Sequence, residues 1–213
     1  MIYIYTGCMA SGKTENAIDK ILSFKEPFIV FQPSNNLRDK GFAKSRTGKS
    51  LPATRVNPHE DFLKIIAEKS KGYDIIGIEE LFFFQKDRKK FIEFILKSSK
   101  KKEIVLPLPD YYFNGESIEL LELLRPYSIV HTGESGLCEE CGCLATRSQR
   151  LYKGKPEFFD AEKVVPESPK GTKSPFSYFP VCFKHWQVLP PKEDRLYPKY
   201  IKNYLNIKNL KFS

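Results

Sequence analysis

Few short stretches constrain a fold as tightly as Gly7-Cys8-Met9-Ala10-Ser11-Gly12-Lys13-Thr14, given what flanks it. Ile2-Tyr3-Ile4-Tyr5 reads as a short buried strand leading in. The residues from Glu15 to Leu22 read as a helix leading out, with Ala17, Ile18, Ile21 and Leu22 on one face. The spacing Gly, four residues, Gly-Lys-Thr is that of a phosphate-binding loop. Its glycines let consecutive backbone N–H groups turn inward around a phosphate chain. Lys13 would carry a mobile positive charge to the β- and γ-phosphates, and the Thr14 hydroxyl would be a ligand to Mg²⁺. The order strand, loop, helix puts the phosphates at a helix N-terminus, where free N–H groups and the dipole favour anions. Binding of a nucleoside triphosphate is the expectation.

A second decisive stretch is Tyr73-Asp74-Ile75-Ile76-Gly77-Ile78-Glu79-Glu80. Its apolar run suits a central parallel strand buried on both faces. Two acids at the end of such a strand suit a second nucleotide motif, one on the Mg²⁺ side and one acting on the nucleophile. They could also simply cap the next helix. Further apolar runs at Phe28-Ile29-Val30-Phe31, Glu103-Ile104-Val105-Leu106 and Ser128-Ile129-Val130-His131 read as strands. They alternate with helical faces carried by Phe62, Ile65 and Ile66, by Phe91, Phe94 and Ile95, and by Ile118, Leu121 and Leu124. The first of these helices is expected to open at Asn57 as N-cap with Pro58 next, and to end at Gly72. Strands alternating with helices predict an α/β fold, a parallel sheet covered on both faces, with ligands beyond the strand C-termini. The polar segment from Gln32 to Ala53 has no period and reads as a loop or flap near the site.

The metal signal lies downstream. Cys138-Glu139-Glu140-Cys141 and Cys182-Phe183-Lys184-His185 form two pairs at two-residue spacing, a four-ligand set suited to tetrahedral, structural Zn²⁺. Cys143 is a spare thiol that could take the place of one ligand. Between the pairs, the residues around Lys153-Gly154-Lys155 and from Pro166 to Pro175 read as a long loop from a metal-pinned base. Five cysteines in a chain with no secretory leader argue for metal or chemistry over disulfides, so a cytoplasmic location is expected. No apolar run is long enough to span a membrane. The net charge of +9 fits a polyanionic nucleotide substrate, nucleic acid or a solvated surface alike, and nucleic acid is not the expected main partner. Part of that charge sits at Lys97, Lys100, Lys101 and Lys102, expected to end a helix. The boundaries drawn are 1–132 for the nucleotide-binding domain, 133–188 for the metal domain and 189–213 for a basic extension, whose Tyr197, Tyr200, Ile201, Tyr204 and Leu205 could dock or stay solvated.

The ordered set of motifs resembles the type II thymidine kinases. The family's Gly-x-Met-x-Ser-Gly-Lys-[Ser/Thr] loop is similar to residues 7–14, its Asp-Glu pair to Glu79-Glu80, and its Ser-Arg-x-Gly segment to Ser45-Arg46-Thr47-Gly48. Its Asp-Gly-x-Phe looks like Asp110 to Phe113, and its late Cys/His elements match Cys138, Cys141, Cys182 and His185. The resemblance implies a P-loop (RecA-like) sheet with a small C-terminal zinc-binding domain whose lasso-type loop closes over a nucleoside. It implies ATP–Mg²⁺ on residues 7–14, with Mg²⁺ held by Thr14 and Glu79. It further implies Glu80 as the base for a nucleoside 5′-hydroxyl, with Lys13 holding the ATP phosphates and Arg38 steadying the transferring charge. Met9, Phe83, Phe113 and Tyr178 would line the nucleoside pocket. A homotetramer is expected because family members are often tetramers. The departures are Glu79 in place of the usual Asp, Leu81-Phe82 in place of Gly-Gln, a lasso loop without the Gly-Gly turn, Phe183 in place of Arg, and a shortened region after Phe113. Most lie where the nucleoside should bind, while Glu79 gives a longer arm on the Mg²⁺ side. The alternatives are another acceptor nucleoside, or a silent homologue that binds nucleotide and nucleic acid.

Overall fold

The computed structural model describes residues 1–37, 39–84, 88–133, 136–165 and 173–191. The chain runs β1 (Ile2–Thr6), α1 (Lys13–Ser23), β2 (Phe28–Pro33), β3 (Phe42–Lys44), β4 (Ser50–Pro52), β5 (Thr54–Val56), α2 (Phe62–Lys69) and β6 (Ile75–Ile78). It continues α3 (Arg88–Ser98), β7 (Glu103–Leu108), α4 (Glu119–Leu124), β8 (Ile129–Thr132), β9 (Arg147–Tyr152), β10 (Lys155–Pro156) and β11 (Phe176–Val181). Six strands form a parallel sheet in the order β5-β2-β6-β7-β1-β8.

Alternation along the central strands divides the core. Ile2 and Ile4 of β1, Ile76 and Ile78 of β6, and Ile104, Leu106 and Leu108 of β7 face one side. There they bury Phe62 and Ile66 of α2, Phe91 and Ile95 of α3, and Leu120, Leu121 and Leu124 of α4. The intervening Tyr5, Ile75 and Val105 face the other side, against Ala17, Ile18 and Ile21 of α1. Gly77 lets α1 approach closely, since a Cβ there would lie 2.9 Å from Ile21 Cδ1 and 3.2 Å from Val30 Cγ2. The α/β sheet covered on both faces is as the sequence predicts. No helix among the described residues is long and apolar enough to cross a membrane.

Four local expectations are corrected. Leu22 is 48% exposed and does not join the α1 face. Helix α2 is capped by Asp61, which accepts from the Lys64 N–H (3.3 Å). Asn57 instead accepts from the His59 N–H (3.0 Å) in a turn of its own, and the helix ends at Lys69, before Gly72. The segment from Gln32 to Ala53 contains a hairpin, β3 paired antiparallel with β4, before β5 joins the sheet edge. Each hairpin strand buries one central residue, Ala43 or Leu51, which is too short a pattern to show a period. The region between the cysteine pairs is a second, three-stranded antiparallel sheet, β10-β9-β11, with Lys153 and Gly154 at its turn. Part of the predicted loop (166–172) and residues 192–213 of the extension lie outside the described residues, while Leu189 bridges to Phe158.

Candidate active site

Three connections leave the sheet at one edge. After β1, Gly12 takes a left-handed conformation (φ 78°) and starts α1 with no side-chain cap, so no cap side chain takes the first amides of the helix. Lys13 Nζ donates to Cys8 O at 2.7 Å, folding the lysine back over its own loop. The loop is tightly backed, since a Cβ on Gly133 would sit 2.2 Å from Ser11 O. The Ser11 hydroxyl is buried without a partner among the described residues. Burial lowers the Lys13 pKa from its ordinary value, against Glu80, Cys8, Asp110 and Glu79, which all raise it. A Gly-rich loop opening a helix N-terminus around a buried lysine is suited to a polyphosphate.

After β6, the Glu79 N–H still donates to Phe31 O of β2 (2.9 Å), which holds this buried acid at the end of the sheet. Glu80 then turns left-handed (φ 50°), an uncommon conformation for a side chain of its size. It opens a short 3₁₀ turn, Leu81–Phe83, closed by the Phe83 N–H on Glu80 O (3.0 Å). That kink places Glu80 and Phe83 in the same cavity as Lys13 and Thr14. After β7, Asp110 accepts from the Thr6 hydroxyl, and the loop continues to Phe113.

One cavity of about 270 Å³ gathers these groups. Lys13, Thr14 and Glu80 line it, and so do all four sequence-predicted wall residues, Met9, Phe83, Phe113 and Tyr178. Glu79 is beside this lining, and Arg38 lies outside the described residues. Two contributors had no signal in the sequence. Ser148 of β9 accepts from the Met9 N–H (2.9 Å), joining the antiparallel sheet to the phosphate loop. Arg150 of β9 is fully buried, with its guanidinium carbon 3.5 Å from the centroid of the Phe113 ring. It donates to Glu162 O (2.7 Å), and Glu157 lies 3.8 Å away. Phe113 O accepts from Trp186 Nε1 (2.8 Å), so the aromatic wall is held from the C-terminal side.

Trp186 connects that wall to the Cys/His cluster. Cys138, Cys141, Cys182 and His185 each offer a donor atom, and these atoms lie within 4.8 Å of one another. His185 Nδ1 is 3.5 Å from Cys138 Sγ and 3.4 Å from Cys182 Sγ, and the Cys141 and Cys182 sulfurs are 3.9 Å apart. Ordinary Zn–S and Zn–N bonds at tetrahedral angles give edges of about 3.6 Å for S···N and about 3.8 Å for S···S. The donor set therefore fits zinc in both chemistry and spacing. Burial raises the Cys138 thiol, but backbone hydrogen bonds at Cys182, Glu140 and Cys141 and the His185 ring outweigh it and bring it down to about 6. Cys143 is exposed, with its sulfur 3.2 Å from Cys141 Sγ; the Cys141 contact leads in pushing it up to about 12. The five cysteines form no disulfide. Around the cluster, among the described residues, Val181 and Trp186 add the buried apolar bulk, with Phe179 and Val188 packed against them.

Comparison with known proteins places this geometry in context. The family model described as thymidine kinase matches residues 1–186. A thymidine kinase of Coprothermobacter proteolyticus is 31% identical over 166 residues, covering 76% of this chain and 81% of that relative. A thymidine kinase of Ureaplasma urealyticum is 34% identical over 168 residues, covering 76% and 74%.

Proposed function

The chain belongs to the thymidine kinase family and is a thymidine kinase-like phosphotransferase; on that premise we propose that it transfers the γ-phosphoryl group of ATP to the 5′-hydroxyl of thymidine. The observation that carries this reading is the single cavity in which the phosphate loop, Glu80 and an apolar wall meet. Residues 7–14 cradle the triphosphate through backbone amides, and Lys13 gives up its bond to Cys8 O to follow the β- and γ-phosphates. Thr14 and Glu79 would hold Mg²⁺, which supplies charge neutralisation on the phosphates when bound. Glu80 accepts the proton of the attacking hydroxyl, and Met9, Phe83, Phe113 and Tyr178 enclose the base. Arg38 is assigned to the transferring charge. The Cys/His set would hold Zn²⁺ as a structural ion that fixes the antiparallel sheet and, through Trp186, the Phe113 wall.

The proposal extends to a nucleotide-salvage role in the cytoplasm, a homotetrameric assembly, and domain limits of 1–132, 133–188 and 189–213. The test is a phosphorylation screen of the purified protein with MgATP against the common nucleosides and deoxynucleosides. Thymidine-dependent ADP release should fall by about 10²–10⁴-fold in Glu80→Gln. Turnover with a different nucleoside alone would replace thymidine as the acceptor. No turnover with any nucleoside would reject the kinase reading in favour of a silent nucleotide-binding homologue.

A further inference from the structure

The β3–β4 hairpin forms one side of the cavity and is tethered at three levels. At its base, buried Gln32 accepts from the Gly41 N–H (3.1 Å) and donates to Phe42 O (3.0 Å). In its middle, Ala43 and Leu51 are buried in the α1 face of the core. At its tip, the Thr47 hydroxyl donates to Glu15 (2.7 Å), and Lys49 Nζ reaches Asp19 (2.7 Å) and Glu15 (3.6 Å). Glu15 and Asp19 are one turn apart on α1, the helix that the phosphate loop opens. The hairpin tip and the phosphate loop are thus held by the same rigid element.

Arg46 directly precedes the first tip tether, Thr47, and lines the cavity with Lys13, Thr14 and Glu80. Its Nη2 lies 3.9 Å from Met9 Sδ. A thioether is a weak acceptor, and among the described residues the Arg46 guanidinium has no carboxylate at ion-pair distance. The nearby acids are taken by Thr47 and Lys49. Met9 belongs both to the phosphate loop and to the apolar wall, so its sulfur marks the junction that a transferring phosphoryl group must cross. A guanidinium held there meets the charge that develops in transfer.

We infer that Arg46 is a catalytic residue that contacts the terminal phosphoryl group of the donor during transfer, delivered there by the hairpin tethered to Glu15 and Asp19. This rests on the nucleoside-kinase reading given above. As the acceptor 5′-oxygen bonds to the γ-phosphorus, the bond from that phosphorus to the β,γ-bridging oxygen breaks. The electron pair leaves with ADP, and the hydroxyl proton passes to Glu80. Arg46 neutralises charge on the non-bridging oxygens throughout and exchanges no proton.

The experiment compares wild type, Arg46→Met and Arg46→Lys in steady-state turnover with MgATP and the nucleoside that wild type phosphorylates. Arg46→Met should lower kcat by about 10²–10³-fold, with the nucleoside KM changed by no more than about two-fold and partial recovery in Arg46→Lys. Arg46→Met should also fail to trap MgADP with aluminium fluoride and nucleoside, while binding MgADP alone as wild type does. The double variant Thr47→Val/Lys49→Gln should lower kcat by about ten-fold, reproducing part of the loss. Equal kcat in Arg46→Met and wild type overturns the assignment, as does an equal loss of MgADP and of the trapped complex. A wild type inactive on every nucleoside would instead overturn the kinase reading itself, so the two failures are distinct.

Discussion

The sheet side of the cavity and the Cys/His side meet at Met9, yet they are held in place by different means. On the sheet side, Lys13, Glu79 and Glu80 follow directly from parallel strands whose side chains are buried on both faces. A large apolar core fixes the backbone, and the backbone fixes the chemistry. On the other side the apolar cluster is small, and order comes from polar anchors: the donor set of Cys138, Cys141, Cys182 and His185, the Gln149–Gln187 pair (2.8 Å in both directions), and buried Arg150. Burying a guanidinium is costly, and Arg150 Nε has no partner among the described residues. The gain is a fixed Phe113 ring. The sheet side is thus held by a core and the Cys/His side by polar anchors that a metal would complete, so the two should fail separately.

The largest break expected is on the sheet side. Lys13→Met should lower kcat by about 10³-fold and abolish thermal stabilisation by MgADP, without loss of apo stability. Because burial lowers the folded-state pKa of Lys13, its charge costs stability at any pH below that value. The cost is relieved as pH rises from the folded pKa towards the unfolded one. Wild-type apo protein should therefore gain stability relative to Lys13→Met across that window, and parallel pH–stability curves would show that the charge carries no such cost.

On the opposite side, Cys182→Ala should lose bound zinc by metal analysis. It should weaken nucleoside affinity by about ten-fold or more while leaving MgADP affinity within about two-fold, because the metal fixes only its own region. A full zinc complement in that variant would disprove the ligand set. Arg150→Met tests the same side more locally. It should raise the nucleoside KM by about ten-fold with a smaller change in kcat, since a desolvated cation–π contact on Phe113 is worth about 2 kcal/mol. An unchanged KM would detach Arg150 from the acceptor wall. The mildest change is Gly77→Ala, which crowds Ile21 and Val30 and should cost about 1–3 kcal/mol, read as a melting point lower by about 5 °C with KM values intact.

The same division explains what could be read in advance. Ile75, Ile76 and Ile78 announce a central strand because nothing polar could be buried there, and the phosphate loop announces itself because its chemistry requires fixed spacing. β9 does not, since its buried positions are Gln149 and Arg150, which hydropathy reads as surface. The β3–β4 hairpin reads as a loop because one buried residue per strand leaves no period. Asn57 reads as a helix cap because its side chain suits either a cap or a turn, and only the neighbouring chain selects between them.

By itself the sequence determined the alternation of strands and helices, the Gly-rich loop, the acid pair and the Cys/His set. Each is a local pattern dictated by backbone geometry or by the chemistry of a ligand. Only the tertiary structure decided that Ser148 takes the Met9 amide, that Arg150 lies against Phe113, and that Arg46 faces the phosphate loop from a hairpin tethered to Glu15 and Asp19. Those contacts join residues thirty or more positions apart, and no local pattern encodes a pairing that exists only once the two sheets and the hairpin have packed around one cavity.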